Sequence, residues 1–260
     1  MPSREFDLNI ERVLENWSTA HALREVIANA LDEAALTGTA EPTISNEEHR
    51  WVVRDFGRGL RYEHLTQNEN KEKLANPGKV IGKFGVGLKD ALATFDRRRI
   101  AVRIRSKFGD ITTAKQQKHG FADMKTLHAV IEPPSDPNLV GTSVELDGVR
   151  TVEVDEAMAL FRHYAGDTVL EETEYGAVLV RAGRRPARIY VNGLRVAEES
   201  NYLFSYDITS PTKALRAALN RERSNVGRTA YTDRVKSILL GATSDAVMNA
   251  LAEEIGRAHV

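Results

Sequence analysis

In the stretch "LREVIANALDEA", Leu23 to Ala34, an acid, an amide and a second acid recur at helical spacing: Glu25, Asn29 and Asp32. On a helix of about 3.6 residues per turn these three fall within roughly 60° of one another and form one polar row. Leu23, Ile27, Ala30, Leu31 and Ala34 lie on the opposite side, so the row faces away from the core that the helix packs against. It meets either water or a site. A second group is "VVRDFGRGL", where Asp55 ends an apolar strand and is followed by Gly57 and Gly59. A carboxylate is thus held at a strand's edge while the backbone after it can turn sharply or approach a ligand closely. The third is "IGKFGVGLKDALATF", with Gly82, Gly85 and Gly87 immediately before an apolar helix. Amides in a glycine-rich loop that enters a helix N-terminus favour an anion, because the helix dipole and the unpaired N–H groups act together. A phosphate chain fits there.

Each group has an ordinary explanation when taken singly: a solvated helix face, an Asp-x-Gly turn, a flexible loop. The glycine spacing G-x-x-G-x-G differs from the dinucleotide fingerprint G-x-G-x-x-G, no βαβ alternation surrounds it, and the P-loop pattern G-x-x-x-x-G-K-[ST] is absent. The seven histidines show no H-E-x-x-H spacing, which disfavours a zinc hydrolase.

The elements that must carry these groups read as helices followed by strands. After the opening helix come the strand "RWVVRDFG", a glycine-punctuated loop from Gly57 to Gly87 and a helix from about Leu88. Period-two segments at "RIAVRIRSKF", "TLHAVIEPP" and "TSVELDGV" predict antiparallel strands. A helix "VDEAMALFRHYAG" precedes "YGAVLVRAGRRPARIYVNGLRV", in which Asn192-Gly193 signals a hairpin. "SPTKALRAALNRER" and "YTDRVKSILLGATSDAVMNALAEEIG" read as helices, with Ser210 and Thr232 as expected N-caps. The fold class is therefore α+β rather than alternating α/β. No Ser/Pro-rich or Gly/Ser-rich linker marks a break between domains.

With 260 residues, 42% of them hydrophobic, the chain can bury a sizeable core, and a net charge of −1 excludes a wholly basic character. Basic residues exceed acidic ones from Tyr175 onward, a weak pointer to an anionic partner. The absence of cysteine removes disulfides, thiolate metal sites and a cysteine nucleophile. No apolar run reaches the roughly 18 residues that would span a bilayer, and the N-terminus lacks the apolar core of a signal peptide. The expectation is a cytoplasmic protein with no membrane partner.

Order and spacing together are specific. Glu25, Asn29 and Asp32 in "REVIANALDEA", then "DFGRG" from Asp55 to Gly59, then "GKFGVGLK" from Gly82 to Lys89 resemble the GHKL ATPases: gyrase, the ninety-kilodalton heat-shock chaperone, histidine kinase and MutL. Gly141-Thr142 in "LVGTSVEL" matches a looser fourth element. The resemblance covers about residues 10 to 180 and looks closest to MORC-type and chaperone-type members. It implies a two-layer α/β sandwich, the Bergerat fold, with a mostly antiparallel sheet. Residues 1–180 would form the ATP-binding domain. Residues 181–260 would form a β-hairpin plus helical extension, packed on the first domain or beginning a transducer-like region.

The resemblance also implies roles. Asp55 would read adenine by accepting from its exocyclic amine, with Thr142 completing the recognition. Asn29 would hold Mg²⁺, the expected cofactor, and Glu25 would be the general base for ATP hydrolysis. Asp32 is a secondary member of the row. Gly57, Gly59, Gly82, Lys83, Phe84, Gly85, Val86, Gly87 and Leu88 would line the nucleotide, with Lys83 and Lys89 offering charge to the triphosphate. The segment "HLTQNENKEKLANPGKVIG" resembles a mobile lid, whose Lys71, Lys73 and Lys79 read as a solvated loop face. The expected function is a slow ATPase whose nucleotide state drives lid closure and homodimerisation. Two alternatives stand beside it. One is an ATP-dependent module that binds nucleic acid or protein with negligible turnover. The other, a protein histidine kinase, is disfavoured because too little chain precedes Glu25 for a phosphoacceptor helix.

Overall fold

The computed structural model describes residues 4–8, 16–66, 71–76, 78, 80–82, 87–118, 125–219 and 226–258. They form two compact units, 1–158 and 159–260.

The first unit is a mixed α/β structure built on a seven-stranded sheet in the order β1-β6-β5-β4-β7-β3-β2. Its strands are β1 (Arg4–Asp7), β2 (Thr43–Glu47), β3 (Arg50–Arg54), β4 (Ala101–Ser106), β5 (Gly109–Gln117), β6 (Lys125–Glu132) and β7 (Thr142–Asp147). Every pairing in it is antiparallel. Alternation in β4 buries Val102 and Ile104 and leaves Ala101 and Arg103 exposed, the half-buried pattern expected of a sheet with one face on a core. Its helices are α1 (Thr19–Thr37), α2 (Glu63–Thr66), α3 (Lys71–Ala75), α4 (Gly87–Arg97) and α5 (Thr151–Met158). α1 packs against α4, α5 and β3.

α1 begins with a capping box: the Ser18 hydroxyl accepts from the His21 amide, and the His21 ring returns a bond to the Ser18 backbone. It ends at Gly38 in the left-handed conformation, φ 66°. Leu23, Val26, Ile27 and Ala30 are buried, as the apolar stripe requires, but so are Arg24, Glu25 and Asp32. The polar row is therefore covered on its own side by the polypeptide that follows β3.

The second unit carries α6 (Arg162–Ala165), β8 (Val169–Thr173), β9 (Gly176–Leu179), β10 (Ala187–Val191), β11 (Leu194–Glu199), β12 (Ser205–Ile208), α7 (Lys213–Ala218), α8 (Arg228–Leu240) and α9 (Asp245–Ala258). Its five-stranded sheet runs β11-β10-β12-β9-β8, with β10 and β12 parallel and the other pairs antiparallel. Val178, Ile189, Ile208, Leu215, Tyr231 and Ile238 form its core. Asn192 and Gly193, at φ 50° and 76°, make the expected turn between β10 and β11.

Several local expectations are corrected. The compact units divide at 158/159, whereas the expected boundary lay near 180: β9 pairs with β12, a later strand, and β8 pairs with β9, so both belong to the second sheet. The helix expected over "VDEAMALFRHYAG" is interrupted where Phe161 bridges to Leu194. Thr212, not Ser210, caps α7 by accepting from the Leu215 amide. Thr232 lies inside α8, its hydroxyl bonded back to the Arg228 carbonyl, and Gly227 is the N-cap. Gly241 ends α8, so the last segment is two helices, with the Ser244 carbonyl and hydroxyl receiving amides of the second.

Candidate functional site

All four sequence groups lie in the first unit, on α1, the end of β3, the entry to α4 and the start of β7. At the N-terminal end of the polar row, Arg24 and Glu25 are both buried, with Glu25 4% exposed. The Arg24 Nε donates to Glu25 Oε1 at 3.0 Å, and the guanidinium lies 5.2 Å from the centre of the Trp17 ring. The carboxylate's other oxygen is turned onto Gly87, the first residue of α4. A Cβ built at Gly87 would stand 2.2 Å from Glu25 Oε2, so the carboxylate keeps this position only beside glycine and would have to shift for a larger residue. A buried carboxylate thus sits at the start of a helix, where the dipole favours negative charge.

One turn on, half-buried Asn29 and nearly inaccessible Asp32 converge on a cation supplied by the chain itself. Lys73 Nζ, from α3, lies 3.0 Å from Asn29 Oδ1 and 2.6 Å from Asp32 Oδ2. The Asp32 carboxylate also accepts the amides of Ile81 at 2.6 Å and Gly82 at 2.8 Å. Asp32 therefore ties down the chain entering the glycine loop. Its two oxygens thus receive three donors. Lys73, which sequence alone left on a solvated face, is only 14% exposed along its side chain. Nothing in the local sequence signals its partners, which lie more than 40 residues away.

A second clasp joins α3 to α1. Glu33 accepts the Arg58 amide at 2.8 Å and both Nε and Nη2 of its guanidinium at 2.9 Å, while Arg58 Nη1 reaches Glu72. Burial alone would raise the Glu33 carboxyl, but the bonds from Arg58 outweigh it and hold the acid below its ordinary range. Arg58 is held correspondingly above its usual value, first by the Glu33 bonds. Glu33 was missed in the sequence, although its position four residues after Asn29 places it on the same helix face.

At the end of β3, Asp55 is 6% exposed. Its Oδ1 accepts the amides of Gly57 at 2.9 Å and Thr142 at 3.2 Å, and the Thr142 hydroxyl also bonds the carboxyl. Desolvation dominates these bonds and pushes the Asp55 carboxyl above its ordinary value. Thr142 Oγ1 also accepts the Leu60 amide at 3.0 Å, so one threonine organises both the acid and the turn after it. Gly141, at φ 78°, passes so close that a Cβ there would stand 1.9 Å from the Asp55 carbonyl oxygen. Gly59, at φ 88°, lies beside Gly141, and a Cβ on it would meet the half-exposed Phe108 ring, over which Arg61 stacks at 4.3 Å.

Of the remaining expected residues, Gly57 packs on Glu33, Gly82 lies against Asp32 and Lys73, and Gly87 and Leu88 begin α4. Lys83, Phe84, Gly85 and Val86 lie outside the described residues, as do Lys79 and residues 220–225. Among the described residues, no group of three or more His, Asp or Glu converges as a metal site. No described helix is long and apolar enough to cross a membrane.

Comparison with known proteins places the chain in a family. An uncharacterized protein of Mycoplasma pneumoniae is 36% identical over 242 residues, covering 91% of this chain and 96% of that protein. The chain belongs to the family of that protein. A second uncharacterized Mycoplasma pneumoniae protein is 30% identical over 110 residues, covering 42% of this chain and 31% of its own length. The family model described as the Mycoplasma pneumoniae MPN635 N-terminal domain matches residues 152–245, which lie almost wholly in the second unit. Among solved structures, the ATPase region of Saccharomyces cerevisiae topoisomerase II is similar over 68% of this chain and 62% of that chain, at 10% identity and a TM-score of 0.32. The same region bound to ICRF-187 (dexrazoxane) gives 12% identity and a TM-score of 0.30. Likeness of that size assigns no function.

Proposed function

We propose that the first unit binds ATP with Mg²⁺ and hydrolyses it slowly, its nucleotide state controlling closure of residues 64–82 and association of two chains. The observation that carries this reading is the buried Glu25 carboxylate set against Gly87 at the start of α4, with Asn29 one turn further along α1. The GHKL-type motif order supports the same roles. Asp55, braced by Gly57 and Thr142, reads the adenine amine, which a guanine carbonyl cannot replace as a donor. The loop from Gly82 through Lys83, Phe84, Gly85 and Val86 to Gly87 and Leu88 carries the phosphates, where backbone amides and the α4 dipole meet negative charge. Gly57 and Gly59 let the backbone pass close to the nucleotide.

Asn29 and its neighbour Asp32 already direct oxygens at one cation, so the pair fits a hard ion that takes its other ligands from phosphate and water. Bound there, Mg²⁺ would neutralise charge on the triphosphate. Glu25 accepts the proton of the attacking water, and Arg24 fixes the orientation of its carboxylate.

A second reading, an ATP-dependent binding module, is favoured by the basic surplus after Tyr175 and the exposed Arg184 and Arg185 between β9 and β10. Phosphate release separates the two. The parent should release phosphate from ATP. Glu25→Ala should bind ATP with similar affinity and lose about 10²–10⁴-fold in turnover. Unchanged turnover in that variant removes Glu25 as the base, and parent binding without turnover favours the module. Light scattering with a non-hydrolysable ATP analogue should report a doubled mass.

A further inference from the structure

We propose that Lys73 is a built-in counter-ion that holds the place of the divalent cation, so that metal arrival and release of the Lys73 contact between α3 and α1 are one event. This role of Lys73 rests on the ATP-binding function proposed above and deepens it. The Lys73 ammonium lies within hydrogen-bond reach of Asn29 Oδ1 and Asp32 Oδ2 together, the two oxygens that α1 offers to a cation. Its side chain is largely buried, so this is a seated charge and not a solvated one. A divalent ion bonded to Asn29 Oδ1 stands about 2.0–2.1 Å from that oxygen. An ammonium 3.0 Å from the same atom would share its coordination shell at close like-charge distance. The two occupants exclude each other.

The ammonium is not isolated on its helix. The preceding residue, Glu72, meets Arg58, which is itself locked onto Glu33. Lys73 thus grips α1 directly and Glu72 through Arg58, and the chain after α3 returns to Asp32 through the Ile81 and Gly82 amides. When a metal takes Asn29, the Lys73 grip opens while Asp32 keeps its two backbone donors. The glycine loop stays anchored, and α3 keeps only its exposed Glu72–Arg58 contact. The metal requirement for nucleotide binding is therefore set by a residue of the lid and not solely by the oxygens that ligate it.

The test uses the full chain and Mn²⁺ as a spectroscopic substitute for Mg²⁺. Binding of a fluorescent ATP analogue without metal is measured first, then Mn²⁺ is titrated with ATP present and free Mn²⁺ is read by electron paramagnetic resonance. Lys73→Met, which keeps the aliphatic stem and removes the charge, should lower the half-saturating Mn²⁺ concentration by about tenfold or more. Lys73→Arg should stay near the parent. Lys73→Gln serves as a second neutral variant if the methionine variant does not fold, judged by circular dichroism. Equal or weaker Mn²⁺ binding by the neutral variants, with ATP bound normally, overturns the role of Lys73 and leaves the ATP reading standing. A parent chain that binds no nucleotide at all, with or without metal, overturns both.

Discussion

Replacing Asp55 by Asn separates recognition from stability at a single atom. Asparagine keeps an oxygen where Oδ1 now accepts the Gly57 and Thr142 amides, at 2.9 and 3.2 Å, so the turn after β3 retains its internal bonds. The group it loses is the negative charge that would accept from the adenine amine, and in its place stands an amide donor facing a donor. A hydrogen bond to a charged group contributes roughly 1.5–3 kcal/mol, so ATP affinity should fall about 10- to 150-fold. Without ligand the sign reverses. Burial raises the Asp55 carboxyl, so the folded state holds its proton more tightly than the unfolded chain does. The acid's contribution to stability then falls as pH rises from its ordinary value of 3.8 through the raised folded value. At neutral pH the parent carries the full cost of a desolvated carboxylate, which asparagine lacks. Calorimetric titration with ATP and GTP should show weaker ATP binding and reduced preference over GTP. Thermal unfolding at pH 7 should give the variant a melting temperature equal to or above the parent's. A variant that binds ATP like the parent, or one that loses affinity only because it melts lower, refutes the assignment of Asp55 as a reader.

Other outcomes follow from the same contacts. Glu33→Gln should lower stability at pH 7 by under about 1 kcal/mol, because Arg58 is half exposed and solvent screens the pair. The Glu33 contribution is present above its ordinary value of 4.5 and lost as pH falls through the depressed folded value, so the variant's unfolding midpoint should decline less steeply in acid than the parent's. Gly141→Ala should cost about 2–6 kcal/mol in urea unfolding, since it combines a strained positive φ with overlap on the Asp55 carbonyl. A loss under 1 kcal/mol would mean that the β7 start shifts freely, contrary to its pairing with β4.

Local features of the fold were legible where periodicity or turn chemistry expresses them. The α1 stripe, the alternation of β4 and the Asn192-Gly193 turn each depend on neighbours within a few residues, and the chain forms them where the pattern places them. The helix boundaries after residue 200 were less legible. Ser210 and Thr232 have the right side chains for caps, but a cap also needs the amide three residues on to be aimed at it, and here Thr212 and Gly227 hold those positions.

By itself the sequence determined which residues of the candidate site share a helix face, where a carboxylate ends a strand and where glycine lets backbone approach. Those are consequences of helical and strand period and of the missing Cβ. Tertiary structure decided what each polar atom meets. Asp32 anchors the amides of Ile81 and Gly82, Lys73 sits between Asn29 and Asp32, and Gly141 closes on the Asp55 carbonyl. These contacts join segments 40 to more than 80 residues apart, so they depend on the path of the chain through the sheet. A charged residue in a polar loop looks the same in sequence whether it ends in water or on a buried carboxylate. Only its partner's position distinguishes the two.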